Sequence, residues 1–351
     1  MSYLYTGTYT EPPLGRNIGI VVYRYDDDSG ALEHIQTVEG LTNPTYLVAS
    51  DDGRFVYAVC ESRGGAVAAF SRDSQTGKLT ELNRQPSGGD GPCHVSIDRT
   101  GRYALVANYG SGSVAALPIN EDGSLGEPTS VVQHEGSSVN PDRQEGPHAH
   151  MILPTPDGRY VLANDLGTDE VITYTLDTGS GTLTRQGAMK THPGAGPRHL
   201  AFSPDGNRVY VINELDSTLT ICDYDGSTGS LTARQTISAL PEGYEGESYC
   251  AHVIVSEDGR FVYGSNRGHD SIVVWAVDKS SGELSVAGHA STEGSFPRHF
   301  ALDPNGTRLL VANQNSDNLA ILRRSRENGL LNRQAVLGDI PSTVALVFCG
   351  E

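Results

Sequence analysis

Positively charged residues are scarce in this sequence, and lysine is almost absent. The 351 residues include 25 lysines and arginines against 43 aspartates and glutamates, which gives a formal net charge of −18 at pH 7. The lysines are Lys78, Lys190 and Lys279. Nucleic acids and anionic membrane surfaces attract proteins that carry a basic footprint. The composition therefore argues against both kinds of partner.

Paired cysteines and long apolar runs are also missing. The sequence has no Cys-x-x-Cys pair, no run of about 18 apolar residues that could span a bilayer, and no signal-peptide pattern in residues 1–10. Widely spaced cysteines, odd in number, are typical of free thiols in a reducing cytoplasm. We therefore expect a cytoplasmic protein with five free cysteines, Cys60, Cys93, Cys222, Cys250 and Cys349.

The main feature of the sequence is a repeat, and residues 196–217 form one unit of it. Apolar and polar residues alternate on both sides of Ser203-Pro-Asp-Gly206, which predicts a β-hairpin with a tight turn. Similar hairpins recur about every fifty residues, and their turn glycines are Gly53, Gly101, Gly158, Gly206, Gly259 and Gly306. An all-β repeat of this length predicts a β-propeller.

Each hairpin is followed by two further strand patterns, so each repeat predicts one four-stranded antiparallel blade. Residues 1–38 contain three strand patterns without the innermost one, and residues 341–348 supply the missing strand. The first blade is therefore expected to combine both termini, which closes a ring of seven blades without a free edge. We expect residues 1–351 to form a single seven-bladed domain.

Equivalent positions of the blades should form rings around the central channel. One predicted ring, at the start of the inner strands, is Tyr46, His94, His150, His199, His252, His299 and Thr343. The ring predicted to face it across the hairpins is Thr8, Glu61, Tyr109, Leu166, Glu214, Arg267 and Gln314. The recurrent histidines could instead keep the fold, bonded to backbone or to the recurrent asparagines.

The residues that break the repeat are more informative than those that recur. Arg198, Glu214, Arg267 and Arg298 are charged where sister blades carry small or neutral residues. They could form a rim salt-bridge network or bind a ligand. Arginines bind phosphate or carboxylate groups, and a carboxylate beside a histidine can activate water. The long connections 129–147 and 239–248 are expected at the same mouth.

Several motifs carry a resemblance to a known family. They are Gly146-Pro-His-Ala-His150, Gly194-Ala-Gly-Pro-Arg-His199, Asn213-Glu-Leu-Asp-Ser-Thr218, Ser265-Asn-Arg-Gly-His-Asp270 and Ala312-Asn-Gln-Asn-Ser-Asp317. Together they resemble the seven-bladed propeller lactonases, which include bacterial 6-phosphogluconolactonases and a fungal muconate lactonising enzyme. The resemblance covers essentially the whole chain. It departs at Phe296-Pro-Arg-His299 and Glu247-Ser-Tyr-Cys-Ala-His252, which border the expected pocket.

The resemblance implies a carboxylic ester hydrolase that opens 6-phospho-D-glucono-1,5-lactone in the pentose phosphate pathway. It implies four catalytic residues, His150, Arg198, Glu214 and Arg267. Glu214, with His150, would accept a proton from water, and Arg198 would stabilise the oxyanion. We expect the small anionic lactone to be bound by His148, His199, Asn213, His252, Arg298, His299 and Gln314.

The sequence also allows other functions. The same residues could lactonise 3-carboxy-cis,cis-muconate or open another sugar lactone, and the propeller could be a non-catalytic protein-binding scaffold. Hydrolase-elbow, P-loop and His-Glu-x-x-His motifs are missing. His148 and His150 allow a metal site, but the carboxylate shell of a metal-dependent lactonase is lacking. We expect no metal, no cofactor, and a monomer or weak homo-oligomer.

Overall fold

The computed structural model describes residues 2–350, which form seven four-stranded antiparallel sheets. Blade one contains β28 (Thr343–Gly350), β1 (Ser2–Thr8), β2 (Gly19–Tyr25) and β3 (Leu32–Glu39). Blade two contains β4 (Leu47–Ala49), β5 (Phe55–Cys60), β6 (Ala66–Arg72) and β7 (Leu79–Pro86). Blade three contains β8 (Pro92–Ile97), β9 (Tyr103–Asn108), β10 (Ser113–Pro118) and β11 (Ser130–Gln133).

The remaining four blades repeat this order. Blade four contains β12 (Ala149–Pro154), β13 (Val161–Asp165), β14 (Glu170–Asp177) and β15 (Thr182–Lys190). Blade five contains β16 (Pro197–Phe202), β17 (Arg208–Asn213), β18 (Thr218–Asp225) and β19 (Ser230–Ser238). Blade six contains β20 (Tyr249–Val255), β21 (Phe261–Arg267), β22 (Ser271–Val277) and β23 (Leu284–Ser291). Blade seven contains β24 (Pro297–Leu302), β25 (Arg308–Asn313), β26 (Asn318–Arg324) and β27 (Leu331–Leu337).

The predicted all-β seven-bladed propeller, closed by both termini, is confirmed. Strand β28 pairs with β1 in antiparallel register, with Val347 opposite Tyr5 and Thr343 opposite Thr8. The turn glycines explain why the hairpins recur, because all six adopt a positive φ of 63° to 72° that only glycine reaches without strain. Among residues 2–350, no helix has the length and apolar character to cross a membrane.

The hydrophobic core is divided into clusters that lie between neighbouring blades. Tyr210 and Ile212 of blade five pack against Trp275 of blade six, and all three are almost completely buried. Equivalent clusters join the other pairs of blades, including blade seven to blade one, where Leu310 packs with Leu4. Each sheet buries both faces against its neighbours, so the ring holds every inner strand in place around the channel.

A one-residue bulge at the start of the inner strands corrects the predicted rings. Pro197 lies opposite Asn213 and His199 opposite Ile212, which leaves Arg198 as the extra residue. Cys93 and Arg298 are extra residues in the same way. Bulged residues are turned out of the regular alternation.

His150 occupies the bulge of blade four, because Ala149 lies opposite Asp165 and Met151 opposite Asn164. The prediction that His150 belongs to the histidine ring was therefore wrong by one residue. Met151 occupies the position in blade four that a histidine occupies in other blades. Thr343 was also misplaced, since it pairs with Thr8 as Pro197 pairs with Asn213. The counterpart of Glu214 in blade one is Tyr9 and not Thr8. The Glu214 N–H donates to the Gly196 carbonyl, and the Tyr9 N–H donates in the same way to the Ser342 carbonyl.

Candidate active site

One mouth of the channel holds a cavity of about 420 Å³ in which acidic, basic and aromatic side chains converge. Bulge residues supply part of its wall, and residues that follow the second strand of a hairpin supply another part. Its lining residues are Leu14, Glu61, Cys93, Tyr109, Arg143, His150, Glu214, Tyr249, Arg267, Phe296, Arg298 and Gln314. Five of the predicted site residues are therefore brought together here: His150, Glu214, Arg267, Arg298 and Gln314.

Glu214 is the centre of the charged network. It follows β17, and its backbone N–H donates to the Gly196 carbonyl at 2.7 Å, which fixes where its side chain begins. Oε2 of Glu214 lies 2.9 Å from Nε of Arg198 and 2.7 Å from Nη2 of Arg267. Oε1 lies 2.6 Å from Nη2 of Arg143. A single carboxylate is thus held by three guanidinium groups.

These neighbours determine the charge of Glu214. Burial alone would raise the pKa of the carboxyl, but Arg267, Arg198, His150 and Arg143 hold that pKa well below its usual range. Burial, together with Arg267 and Arg298, lowers the pKa of Arg198 to about 9. Glu214 is therefore ionised and Arg198 protonated at neutral pH.

Arg298 differs from the other arginines of the cavity. Among residues 2–350 it makes no hydrogen bond or ion pair, and its Cζ lies 5.7 Å from the centre of the Tyr9 ring. Burial lowers the pKa of Arg298, but Tyr9, Glu61 and Glu214 outweigh burial and raise it. Arg298 is a guanidinium available to a ligand.

The cavity region carries an excess of positive charge in a strongly acidic protein. Four arginines, Arg143, Arg198, Arg267 and Arg298, are opposed by Glu61 and Glu214, which leaves an excess of two positive charges. Glu61 already accepts a hydrogen bond from Thr45 and one from Tyr9 at 3.2 Å. Such a site is complementary to a small anion.

His150 is a neutral imidazole beside this network. Its side chain is buried, its Nδ1 lies 3.7 Å from Sγ of Cys93, and its ring meets the Tyr109 ring edge-on at 5.5 Å. Burial, followed by the charge of Arg198, lowers the pKa of His150 well below 6.5. The imidazole can therefore accept or pass on a proton at neutral pH without carrying charge at rest.

The structure does not bring His148 or Asn213 into the cavity. His148 stacks on Tyr109 with ring centres 4.5 Å apart, and its Nδ1 lies 3.0 Å from the Tyr109 carbonyl oxygen. Asn213 is buried and donates through Nδ2 to the hydroxyls of Thr218 and Thr220. Both side chains contact residues around the cavity without lining it, and their predicted contact with substrate stays a prediction.

The bulge turns His199, His252 and His299 away from the mouth, so they do not line this cavity either, and their predicted contact with substrate stays a prediction. Nδ1 of His199 lies 2.8 Å from Nδ1 of His252, and the rings of His252 and His299 stack with centres 4.0 Å apart. His252 and His299 line a different cavity, of about 650 Å³. The histidines thus form a neutral layer across the channel.

Arg198 lies between this layer and Glu214 and does not line the mouth cavity. Its side chain is 2% exposed, and Nη1 donates to the Ala251 carbonyl. It contacts the Glu214 carboxylate directly. A direct contact with the lactone oxyanion, as predicted, is not supported by this placement.

Sequence reasoning missed several cavity residues, of which Arg143 is the most important. The long connection before β12 was expected at this mouth, and Arg143 confirms that expectation because it reaches Glu214 from this connection. The length of the connection was the only signal in the sequence, and nothing in the repeat singled out Arg143. Tyr109 and Glu61 were placed in the correct ring but received no function.

The mouth of the propeller channel thus combines a buried carboxylate, a neutral imidazole and surplus arginines, which is typical of an enzyme active site. The family model described as "Lactonase, 7-bladed beta-propeller" matches residues 3–348. The chain therefore belongs to the seven-bladed β-propeller lactonases, an enzyme family. Among residues 2–350, no group of three or more histidine, cysteine, aspartate or glutamate side chains is arranged to hold a metal ion.

Individual relatives are similar over nearly the full length. A Bacillus subtilis protein named 6-phosphogluconolactonase is 40% identical over 345 residues, which cover 98% of this chain and 95% of the relative. A Formosa agariphila protein of the same name is 33% identical, with 94% of each chain covered. The solved structure of a Pseudomonas aeruginosa periplasmic gluconolactonase is 35% identical, with a TM-score of 0.93, and the match covers 99% of this chain and 98% of that one.

Proposed function

We propose that this protein hydrolyses 6-phospho-D-glucono-1,5-lactone to 6-phosphogluconate in the cavity around Glu214. The observation that carries the proposal is Arg298, an arginine without a hydrogen-bond or ion-pair partner among the described residues. It lies in a cavity whose lining, together with the buried Arg198 behind Glu214, has two surplus positive charges. A phosphate dianion carries the charge needed to balance this excess. The names of the Bacillus and Formosa relatives support the same substrate.

In the proposed reaction, water attacks the lactone carbonyl carbon and gives its proton to Glu214. The tetrahedral oxyanion then collapses, the bond between this carbon and the ring oxygen breaks, and the ring oxygen takes a proton to become a hydroxyl. Glu214 and the neutral His150 both line the cavity and supply the groups that accept and return the proton. The products are the open-chain acid and the regenerated side chains.

Arginines take separate roles in this scheme. Arg267 lines the cavity and bonds Glu214, so it is placed to stabilise an oxyanion that forms beside that carboxylate. Arg298, with Gln314 nearby on the cavity wall, binds the phosphate. Arg198 orients Glu214 from behind and is a positioning residue.

A second candidate substrate is the unphosphorylated gluconolactone, favoured by the name of the similar Pseudomonas protein. The two substrates differ in the phosphate alone, so Arg298 should matter only for the first. The muconate reaction gains no specific support from the comparisons.

The test is hydrolysis of freshly prepared 6-phosphogluconolactone, gluconolactone and 3-carboxymuconate by purified protein treated with chelator. We expect rapid turnover of the phosphorylated lactone and at least about tenfold lower kcat/KM for gluconolactone, the loss from one absent charged contact. If kcat/KM is higher for gluconolactone than for the phosphorylated lactone, the unphosphorylated lactone is the substrate and the proposal is wrong on this point. Turnover of 3-carboxymuconate and of neither lactone would contradict the proposed hydrolytic activity.

The proposed enzyme acts in the cytoplasm without a metal or cofactor, as a monomer or weak homo-oligomer. All five cysteines are buried and unpaired, which suits a reducing compartment. Fractionation of the source cells tests the compartment, and activity in periplasmic extracts alone would contradict it.

A further inference from the structure

Arg143 stands apart from the other two arginines that bind Glu214. It is the only described residue that bonds Oε1, whereas Arg198 and Arg267 share Oε2. Oε1 is therefore the oxygen of Glu214 that becomes free if a single ion pair opens.

Arg198 and Arg267 are held in ways that prevent such an opening. Their side chains are 2% and 5% exposed, they belong to strands β16 and β21, and both also donate to backbone carbonyl groups. Release of either would leave its buried charge without the carboxylate that balances it, which is strongly destabilising. They are fixed parts of the site.

The side chain of Arg143 is much freer. It is 35% exposed, and its other contact is a long hydrogen bond of 3.4 Å to the Tyr109 hydroxyl. It extends from the connection between β11 and β12 into the open part of the cavity. Its guanidinium can turn from Glu214 to a ligand without leaving water entirely.

The backbone that carries Arg143 is tied down by two buried aspartates. Asp165 accepts from Nδ1 of His134 at 2.6 Å and from the backbone N–H of His148 at 2.9 Å, so it binds both ends of the connection. Asp169 accepts from Nε2 of Gln144 at 2.8 Å, beside Arg143. These bonds hold the backbone of the connection, so an exchange of partners by Arg143 needs only its side chain to turn.

We propose that Arg143 determines specificity by exchanging its ion pair with Glu214 for one with the anionic group of the substrate. This inference rests on the proposed function. A phosphate dianion attracts a guanidinium more strongly than a single carboxylate and accepts two parallel hydrogen bonds. The exchange frees Oε1 of Glu214 to accept the proton of the attacking water. A neutral lactone cannot draw Arg143 away, so phosphate binding and activation of the base are coupled through one side chain.

Kinetics of Arg143→Gln with both lactones test the coupling. We expect kcat/KM for 6-phosphogluconolactone to fall about 30-fold or more, as for the loss of a charged hydrogen bond. For unphosphorylated gluconolactone, kcat/KM should stay equal or rise, because Oε1 is no longer covered. Arg143→Lys, which keeps the charge, should recover part of the loss. An equal fall with both lactones, or no fall with either, would overturn the proposal.

Arg234→Gln is the matched control, because Arg234 is an exposed arginine paired with Asp223 on the outer part of blade five. A binding measurement separates this inference from the proposed reaction. Calorimetric titration with inorganic phosphate should give at least about fivefold weaker binding to Arg143→Gln than to the wild type and the control. Equal affinities would overturn the role of Arg143 even if the wild type hydrolyses the lactone. If the wild type hydrolyses neither lactone, the proposed function fails, and the phosphate titration still decides the role of Arg143.

Discussion

His134 donates from Nδ1 to Oδ2 of Asp165 over 2.6 Å, with both side chains buried. In three sister blades the position of Asp165 is an asparagine that donates to a backbone carbonyl of the preceding blade: Asn108 to Ser87, Asn266 to Ala239 and Asn313 to Thr292. Blade four thus replaces an amide and a carbonyl with a carboxylate and an imidazole. The carboxylate has a second oxygen, and this oxygen accepts the backbone N–H of His148.

Asp165→Asn should therefore loosen the connection that carries Arg143. The amide cannot accept from both His134 and the backbone, so we expect a loss of about 1 to 3 kcal/mol in the free energy of unfolding, the cost of an unsatisfied buried group. Urea denaturation measures this loss, and hydrogen exchange should show faster exchange in residues 134–148. Asp142→Asn, an exposed aspartate of the same connection, is the control. Equal stability of the two variants would contradict the anchoring role of Asp165.

Most of the fold could be predicted because it depends on local signals. Strand alternation and turn glycines such as Gly206, with φ of 72°, recur in each blade and specify the hairpins directly. The pairing of β28 with β1 was also predictable, since residues 1–38 lack an inner strand. The repeat of about fifty residues then places the blades face to face around a ring.

The registers at the inner strands could not be predicted as well. A bulge adds a residue without changing the composition, so aligning blades by their histidines moved His150 into the wrong ring. The consequence was that His199 and His299 were expected at the mouth, whereas the bulge residues occupy it. Arg143 was missed because it meets Glu214 across 71 residues of sequence and lies outside the repeat.

Replacement of Arg298 tests whether it is reserved for substrate. Arg298→Met should raise KM for the phosphorylated lactone about 10- to 100-fold while kcat changes little, because a binding charge is lost and Glu214 keeps its partners. Stability should be maintained, since Arg298 makes no hydrogen bond to any other residue from 2 to 350. Steady-state kinetics and thermal unfolding measure both effects. A large fall in kcat with unchanged KM would show that Arg298 acts in the chemical step.

Acid should destabilise the fold through the buried histidines of the channel. Burial lowers the pKa of His94 and His299 to about 3, and the pKa values of His150, His199 and His252 lie well below 6.5. These histidines stay neutral in the folded state but gain protons when unfolded near their ordinary pKa of about 6.5. Their stabilisation is therefore present above that pH and is lost as the pH falls below it.

The slope of stability with pH measures this effect. Each histidine contributes up to about 1.4 kcal/mol per pH unit below the pKa of the unfolded state. Urea titrations at pH 7, 6 and 5 can follow the fluorescence of Trp275, the one tryptophan. His252→Gln should reduce the slope of unfolding free energy with pH by about the contribution of one histidine. His34→Gln, which replaces an exposed histidine, is the control. Stability independent of pH between 7 and 5 would contradict a neutral histidine layer.

The role of Glu214 as the base is tested by the activity of two Glu214 variants. Glu214→Gln should lower kcat for 6-phosphogluconolactone by about 100-fold or more, since the proton acceptor is lost. It also leaves three arginines without their carboxylate, so its folding must be measured. Glu214→Asp keeps the charge and the fold but withdraws the carboxylate, and it should lower kcat with little change in thermal stability. Wild-type turnover in a folded Glu214→Gln enzyme would contradict Glu214 as the base.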